Sequence, residues 1–295
     1  MSNKKRLFEK TDLLVVCGIL VAMMVIGSIW DYPISLALYD QSNWFGNLFA
    51  AYGEFFAGMA VLLSGLLLIL AHNKEKKLVA VLQIIGAVLI LLLGGAMTIL
   101  MPGNYLPFPM FVSAIPGVAG AVLLVFYAIR ISKTADRATM VKVAAVLFIS
   151  VWLEIIVVNV IKIPWGRPRM RLIAQDIGAY FTPWWVAGGG LKAQLAHLGI
   201  ESDQFKSFPS GHTANGAAAM LLALLPLLDK KLESKKRVLF YTGVVWGLLV
   251  ALSRIIMGAH FVTDTTVGFA VTFVIILLMT SLLLKDKSLK GKAGD

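Results

Sequence analysis

Apolar residues along this chain gather into runs of about 20 residues, long enough to cross the hydrocarbon core of a bilayer as a helix. Eight such runs lie at roughly 13–30, 55–71, 78–101, 110–131, 141–161, 211–228, 238–257 and 262–284. Lipid offers nothing to hydrogen-bond a bare peptide group, so each run is expected to be helical. Pro109 and Pro116 interrupt the start of the fourth. No linker, low-complexity block or internal repeat divides the series. The expected fold class is all-α: a polytopic membrane helical bundle of about eight transmembrane helices, forming one domain over 1–295.

The first run, behind the basic stretch Met1–Lys10, also has the outline of a secretory signal. It is longer than a typical signal core, and Gly27-Ser28-Ile29-Trp30 makes a poor cleavage site, so it is read as a helix.

Composition agrees with a lipid solvent: 59% of residues are hydrophobic, 15% are charged and mean hydropathy is +0.83. The single cysteine, Cys17, excludes an intramolecular disulfide or a thiolate metal cluster. A net charge of +11 would suit nucleic acid, but the positions of the cations argue for topology. With the N-terminus inside, 20 of the 27 Lys and Arg residues fall on inner segments, among them Lys4, Lys5, Arg6, Lys285, Lys287, Lys290 and Lys292. Both termini are then expected to be cytoplasmic. The other seven, Lys162, Arg167, Arg169, Arg171, Lys192, Lys206 and Arg254, fall on the outer face between the fifth and eighth runs. The outer loops before them, around 31–54 and 102–109, contain no Lys or Arg. Bases on the face that should exclude them need a separate reason.

The one long polar insertion, about 163–208, holds Pro183-Trp184-Trp185 and Gly188-Gly189-Gly190. The tryptophans read as anchors at headgroup level, with a lid as the alternative. The glycines read as a flexible turn, since no strand precedes them to form a phosphate cradle.

Three polar segments end or open apolar runs on this outer side. Lys162-Ile-Pro-Trp-Gly-Arg-Pro-Arg169 supplies a point charge and planar forks that suit phosphate oxygens, although snorkelling bases would look similar. In Pro209-Ser210-Gly211-His212-Thr213, helix capping accounts for the first residues but not for a histidine beside a glycine. In Ser253-Arg254 and the following stretch to Asp264, His260 and Asp264 are four apart, a spacing that on a helix lets a carboxylate fix an imidazole tautomer. A charged side chain costs about 2.5–3.5 kcal/mol at the centre of a bilayer, so these groups belong at the interface or in a polar cavity.

Together the three segments resemble the signature of the type 2 phosphatidic acid phosphatase superfamily: Lys, six residues, Arg-Pro; Pro-Ser-Gly-His; Ser-Arg, five residues, His, three residues, Asp. The second and third match fully; in the first, Met170 stands where the family has proline. The resemblance takes in about 141–284 and implies a six-helix catalytic core, with helices three and four as additions. It implies His260 as nucleophile forming a phosphohistidine, Asp264 as its orienting carboxylate and His212 as general acid and base. Lys162, Arg169, Ser210, the Gly211 amide and Arg254 would bind the phosphate oxygens, with Arg167, Arg171 and Lys206 as secondary contacts. It implies no cofactor and no metal. The partners are a lipid phosphate substrate and the bilayer, with no nucleic acid and no obligatory protein partner.

The implied reaction is hydrolysis of a lipid phosphate or diphosphate at the outer face. Isoprenyl diphosphate, such as undecaprenyl diphosphate, phosphatidic acid and phosphatidylglycerol phosphate all suit the site, and for a bacterial source the first is preferred. Phosphoryl transfer to another lipid and an anionic lipid transporter are the competing readings. His72 and His197 read as solvated bystanders. Glu154, two turns inside Lys162, reads as a brace for helix five through a basic residue or Asn159.

Overall fold

The structure is a computed structural model that describes residues 7–284. Lys4, Lys5, Arg6, Lys285, Lys287, Lys290 and Lys292, assigned above to the inner face, lie outside the described residues. In chain order the α-helices are α1 (Lys10–Leu38), α2 (Trp44–Tyr52), α3 (Phe55–Leu70), α4 (Lys77–Gly95), α5 (Met110–Ser132) and α6 (Arg137–Trp165). They continue as α7 (Met170–Ile173), α8 (Gly189–Gln194), α9 (Gly211–Ala217), α10 (Leu225–Leu228), α11 (Lys236–Ile256) and α12 (Val262–Leu283). Among the described residues there is no strand, and eight helical segments are long and apolar enough to cross a membrane. The all-α multi-pass architecture expected from the apolar runs is the one observed.

The departures from the expected boundaries have local causes. α1 continues beyond Trp30, where the backbone leaves helical geometry (φ −123°, ψ 17°) one turn before Pro33. A proline inside a helix removes a hydrogen bond and crowds the preceding turn, so the kink falls there. The second crossing begins earlier than its apolar run, at Trp44, and breaks at Gly53-Glu54 between α2 and α3. The third passes from α4 through a π-helical turn at Ala96–Leu100 into a tight turn at Met101–Asn104. Pro109 caps α5, and Pro116 is accommodated within it.

α9 is the centre of the bundle, with α3, α6, α11 and α12 packed around it and Thr213, Ala214, Gly216 and Ala217 buried. α1 packs on α12, and α2 on α11. α4 and α5 form a peripheral layer on α3. They turn large apolar side chains outward, including Leu82, Leu92, Phe111 and Phe126, as lipid-facing helices do.

The long outer insertion is packed. Leu172, Leu191, Leu195 and Phe205 form a small core of their own. Gly166 ends α6 in the left-handed region (φ 72°), which only glycine adopts freely. Gly188 donates its amide to the Trp165 carbonyl at 2.7 Å, and a β-carbon on Gly188 would meet the Gly166 carbonyl at 2.5 Å. The glycine run read as a flexible turn is thus a close backbone crossing. Trp184, read as a headgroup anchor, donates its indole N–H to Ser28 Oγ at 3.0 Å and ties the insertion to α1. Trp185 remains exposed.

Candidate active site

The first two signature segments meet where α6 ends and α9 begins. A β-carbon on Gly211 would stand 3.4 Å from Lys162 Nζ, which places the ammonium against the first residue of α9. Ser210 caps α9, its Oγ accepting from Thr213 N at 3.3 Å and lying 3.0 Å from Thr213 Oγ1. The Ser210 amide donates to the Asp264 carbonyl at 2.9 Å, which fastens the start of α9 to the first turn of α12.

His260 is buried in the third segment. Its Nδ1 lies 2.5 Å from the Ser207 carbonyl oxygen, an acceptor, so Nδ1 carries the proton and the lone pair is on Nε2. The expected carboxylate–imidazole bond is absent: Asp264 Oδ2 is 3.9 Å from Nδ1. The reason is local. His260 precedes α12, with Phe261 as an extended N-cap, so the four-residue spacing is not helical here. Asp264 turns back as the cap, accepting from Phe261 N at 2.8 Å and from Ser207 Oγ at 2.5 Å. Burial, then the charges of Lys162, Arg169, Arg254 and His212, hold the His260 imidazole well below its usual pKa and therefore neutral. The second and third segments are joined by the bond from the Ser210 amide to the Asp264 carbonyl, and the His260 ring is held on Ser207, three residues before Ser210.

Arg167, expected as a secondary phosphate contact, is enclosed instead. It pairs with Asp264 Oδ1 and donates to Asp31 Oδ2 at 3.0 Å, to Thr263 Oγ1 at 3.0 Å and to the Thr182 carbonyl at 2.8 Å. The rings of Phe261 and Phe181 lie 4.3 and 5.2 Å from its guanidinium carbon. With these bonds made it braces Asp264 from behind. Arg171 is held by Gln204 Oε1 at 2.9 Å and by Asp203, and Lys206 is half-buried on the turn that follows Asp203. Lys192 is on the surface, bonded to Ser202 Oγ at 3.0 Å.

The other two arginines face the site differently. Arg169 is aimed by Asp203, through the carbonyl to Nε at 2.9 Å and the carboxylate to Nη2 at 2.9 Å. Arg254 is 3% exposed, yet its Nε and Nη1 have no hydrogen-bond partner. A buried guanidinium with open donors is costly in the absence of an acceptor, and an anion between Arg254 and its cationic neighbours meets that need.

His212 has its own carboxylate. Nδ1 lies 3.4 Å from Glu54 Oε1, the Ala50 carbonyl also bonds the ring, and the Tyr105 ring meets it edge-on at 5.4 Å. Asn215 hydrogen-bonds Glu54 in turn. Glu54, Asp31, Ser207 and Asp203 are neighbours of the candidate site residues that sequence reasoning missed. Glu54 and Asp31 did carry a signal, each being an acid set in an otherwise apolar stretch. Ser207 carried none, since it acts partly through its carbonyl.

The model of the PAP2 superfamily matches residues 141–288, which contain all three segments. Phosphatidylglycerophosphatase B of Bacillus subtilis (strain 168) is 38% identical over 92 residues, 29% of this chain and 43% of that protein. Phosphatidylglycerophosphatase B of Haemophilus influenzae (strain ATCC 51907 / DSM 11121 / KW20 / Rd) is 37% identical over 86 residues, 28% of this chain and 34% of that protein. The chain thus spans less than half the length of either relative. No solved structure matches.

Proposed function

The chain belongs to the PAP2 superfamily, and from that premise we propose that it hydrolyses the phosphate of a membrane lipid through a phosphohistidine on His260. The observation that carries this reading is the pair of unpartnered nitrogens on buried Arg254, in the same segment as a buried histidine whose Nδ1 proton is already committed.

In the first step His260 Nε2 attacks phosphorus, the bond to the lipid oxygen breaks, and His212 gives that oxygen its proton. Lys162, Arg169 and Arg254, with the Gly211 amide, hold the three remaining oxygens, whose charge redistributes in the transition state. Ser207 keeps the Nδ1 proton in place, and the Asp264 carboxylate behind it favours the positive ring of the intermediate. In the second step His212 takes a proton from water, the hydroxide attacks phosphorus, and the P–N bond breaks to release inorganic phosphate and restore His260. Fixed cations supply the charge stabilisation, so EDTA is expected to leave the rate nearly unchanged.

The two relatives' name supports a lipid phosphate monoester as substrate class. The distribution of Lys and Arg, 20 of 27 on one set of segments, supports an extracytoplasmic site with cytoplasmic termini. The test is phosphate release by the purified protein in detergent across phosphatidic acid, phosphatidylglycerol phosphate and isoprenyl diphosphate. Release from at least one supports hydrolysis. Silence on all, or transfer of the phosphoryl group to added lipid with no free phosphate, contradicts it.

A further inference from the structure

Beside the phosphate site, His212 and Gly211 also line a cavity of about 400 Å³. Its mouth lies between α4 and α6, where Leu93, Met101 and Asn159 are exposed on the lipid-facing side. Its walls are mostly apolar, with Met97 on one side and Val158 and Trp152 on the other, the Trp152 indole N–H being buried without a partner.

At the inner end the chemistry changes to hydrogen-bond acceptors. Glu54, Glu154 and Asn215 line it together. Glu154 is fully buried, and neither of its carboxyl oxygens has a hydrogen-bond partner; Asn215 Oδ1 has none either. The brace expected through Asn159 is not made, because the Asn159 amide donates to the Ile155 carbonyl of its own helix at 2.8 Å. Among the described residues that line the cavity there is no Lys or Arg.

We infer that this cavity receives the leaving alcohol, and that Glu154 and Asn215 select a phosphate monoester whose leaving group offers a hydroxyl donor, as a glycerol moiety does. The inference rests on the proposed function, in which His212 protonates the leaving oxygen: whatever is attached to that oxygen must occupy the space His212 faces. Buried acceptors without partners are satisfied by a donor, and a hydroxyl one carbon from the ester supplies one. The leaving group of a diphosphate puts a second phosphate there instead, and that anion needs cations the lining does not hold. On this inference a monoester is preferred to the isoprenyl diphosphate that the sequence reading placed first.

This also gives the third crossing a task. Leu93, Ala96, Met97 and Met101 all belong to it, two of them in the π-helical turn, a local widening that recurs at functional sites. The segment that looked like an addition to the catalytic core builds one wall of the path from lipid to His212.

The test compares kcat/KM of the full chain in detergent on lysophosphatidic acid, phosphatidic acid and isoprenyl diphosphate. Lysophosphatidic acid has a free hydroxyl beside the ester carbon, phosphatidic acid has that hydroxyl acylated, and the diphosphate carries phosphate in its place. The wild type is expected to favour the first. Glu154→Leu is expected to lower kcat/KM on lysophosphatidic acid at least tenfold more than on phosphatidic acid. Equal losses on both substrates, or a wild type fastest on the diphosphate, overturn the inference while leaving hydrolysis intact. No phosphate release from any lipid by the wild type overturns both readings. Leu93→Trp, at the exposed mouth, tests the path independently of Glu154. Its expected loss on lysophosphatidic acid is at least fivefold greater than on para-nitrophenyl phosphate, a small soluble ester, and equal losses contradict the path.

Discussion

His260 gives its Nδ1 proton to the main-chain oxygen of Ser207 at 2.5 Å, while Asp264 stands back at 3.9 Å. The carboxylate therefore acts through Ser207, whose hydroxyl it holds at 2.5 Å, and through the field it shares with Arg167. Fixing the ring by a backbone carbonyl makes its tautomer independent of any one side chain. The same arrangement makes the two supporting residues separable by mutation.

Asp264→Asn and Ser207→Ala are expected to differ. Asp264→Asn strips Arg167 of one of its two buried carboxylates, and breaking a buried ion pair costs about 3–5 kcal/mol. Ser207→Ala removes one hydrogen bond to Asp264 and keeps the carbonyl, for a cost of about 1–3 kcal/mol. Thermal unfolding in detergent, run beside kcat, should show a clearly lower Tm for Asp264→Asn and retained turnover in Ser207→Ala. Comparable Tm values would remove Asp264 from the buried network.

Arg254→Lys is expected to raise KM and lower kcat, for a combined loss in kcat/KM of about 100-fold or more. Lysine keeps the charge but lacks the planar fork that leaves Nε and Nη1 open to phosphate oxygens. Arg167→Lys is expected to lose stability first, because Arg167 bonds four protein groups. Inhibition constants for vanadate should follow the same division, weakened in Arg254→Lys and little moved in the Arg167 variant that remains folded. Equal weakening would return Arg167 to the phosphate site.

Glu54→Gln is expected to lower kcat about 10- to 100-fold with little change in KM, since its carboxylate faces His212 Nδ1 and acts through that ring. Pre-steady-state kinetics separates this from a folding defect: both appearance and decay of the phosphoenzyme should slow, because His212 serves in both steps. A rise in KM alone would make Glu54 a substrate contact.

The pH dependence follows from His260. Burial and the neighbouring cations lower its folded pKa below the ordinary value of about 6.5, so the neutral nucleophile persists as pH falls through that value. The acid limb of kcat/KM for the free enzyme should therefore lie below pH ~6.5. Stability has the same sign: the contribution from a neutral buried imidazole is present above about 6.5 and declines as pH falls from there toward the folded pKa. An acid limb centred above that value would mean that a different group limits the nucleophile.

Much of the fold was legible because crossing a bilayer demands long apolar runs, and the eight runs correspond to eight helical segments of sufficient length and apolarity among the described residues. The candidate cations Lys162, Arg169 and Arg254 and both histidines could be singled out because each lies in a short segment whose residue types and spacing suit phosphate chemistry. What escaped depends on distance along the chain or on the backbone. Arg167 looked like another phosphate cation, since nothing local reveals that Asp31, 136 residues earlier, is waiting for it. Glu54 reaches His212 from another helix, at a break in the second crossing that its apolar run conceals. The His260–Asp264 spacing misled for a physical reason: the helix begins between them, so the carboxylate caps the backbone.

The most direct measurement is to trap the covalent intermediate. Purified protein is mixed with a lipid phosphate labelled in the scissile phosphoryl group, quenched in alkali within milliseconds, and digested to locate the label. An alkali-stable, acid-labile phosphate on the peptide carrying His260, absent from the His260→Ala variant together with its turnover, is the predicted result. Label on another residue, or near-normal phosphate release by His260→Ala, would contradict it.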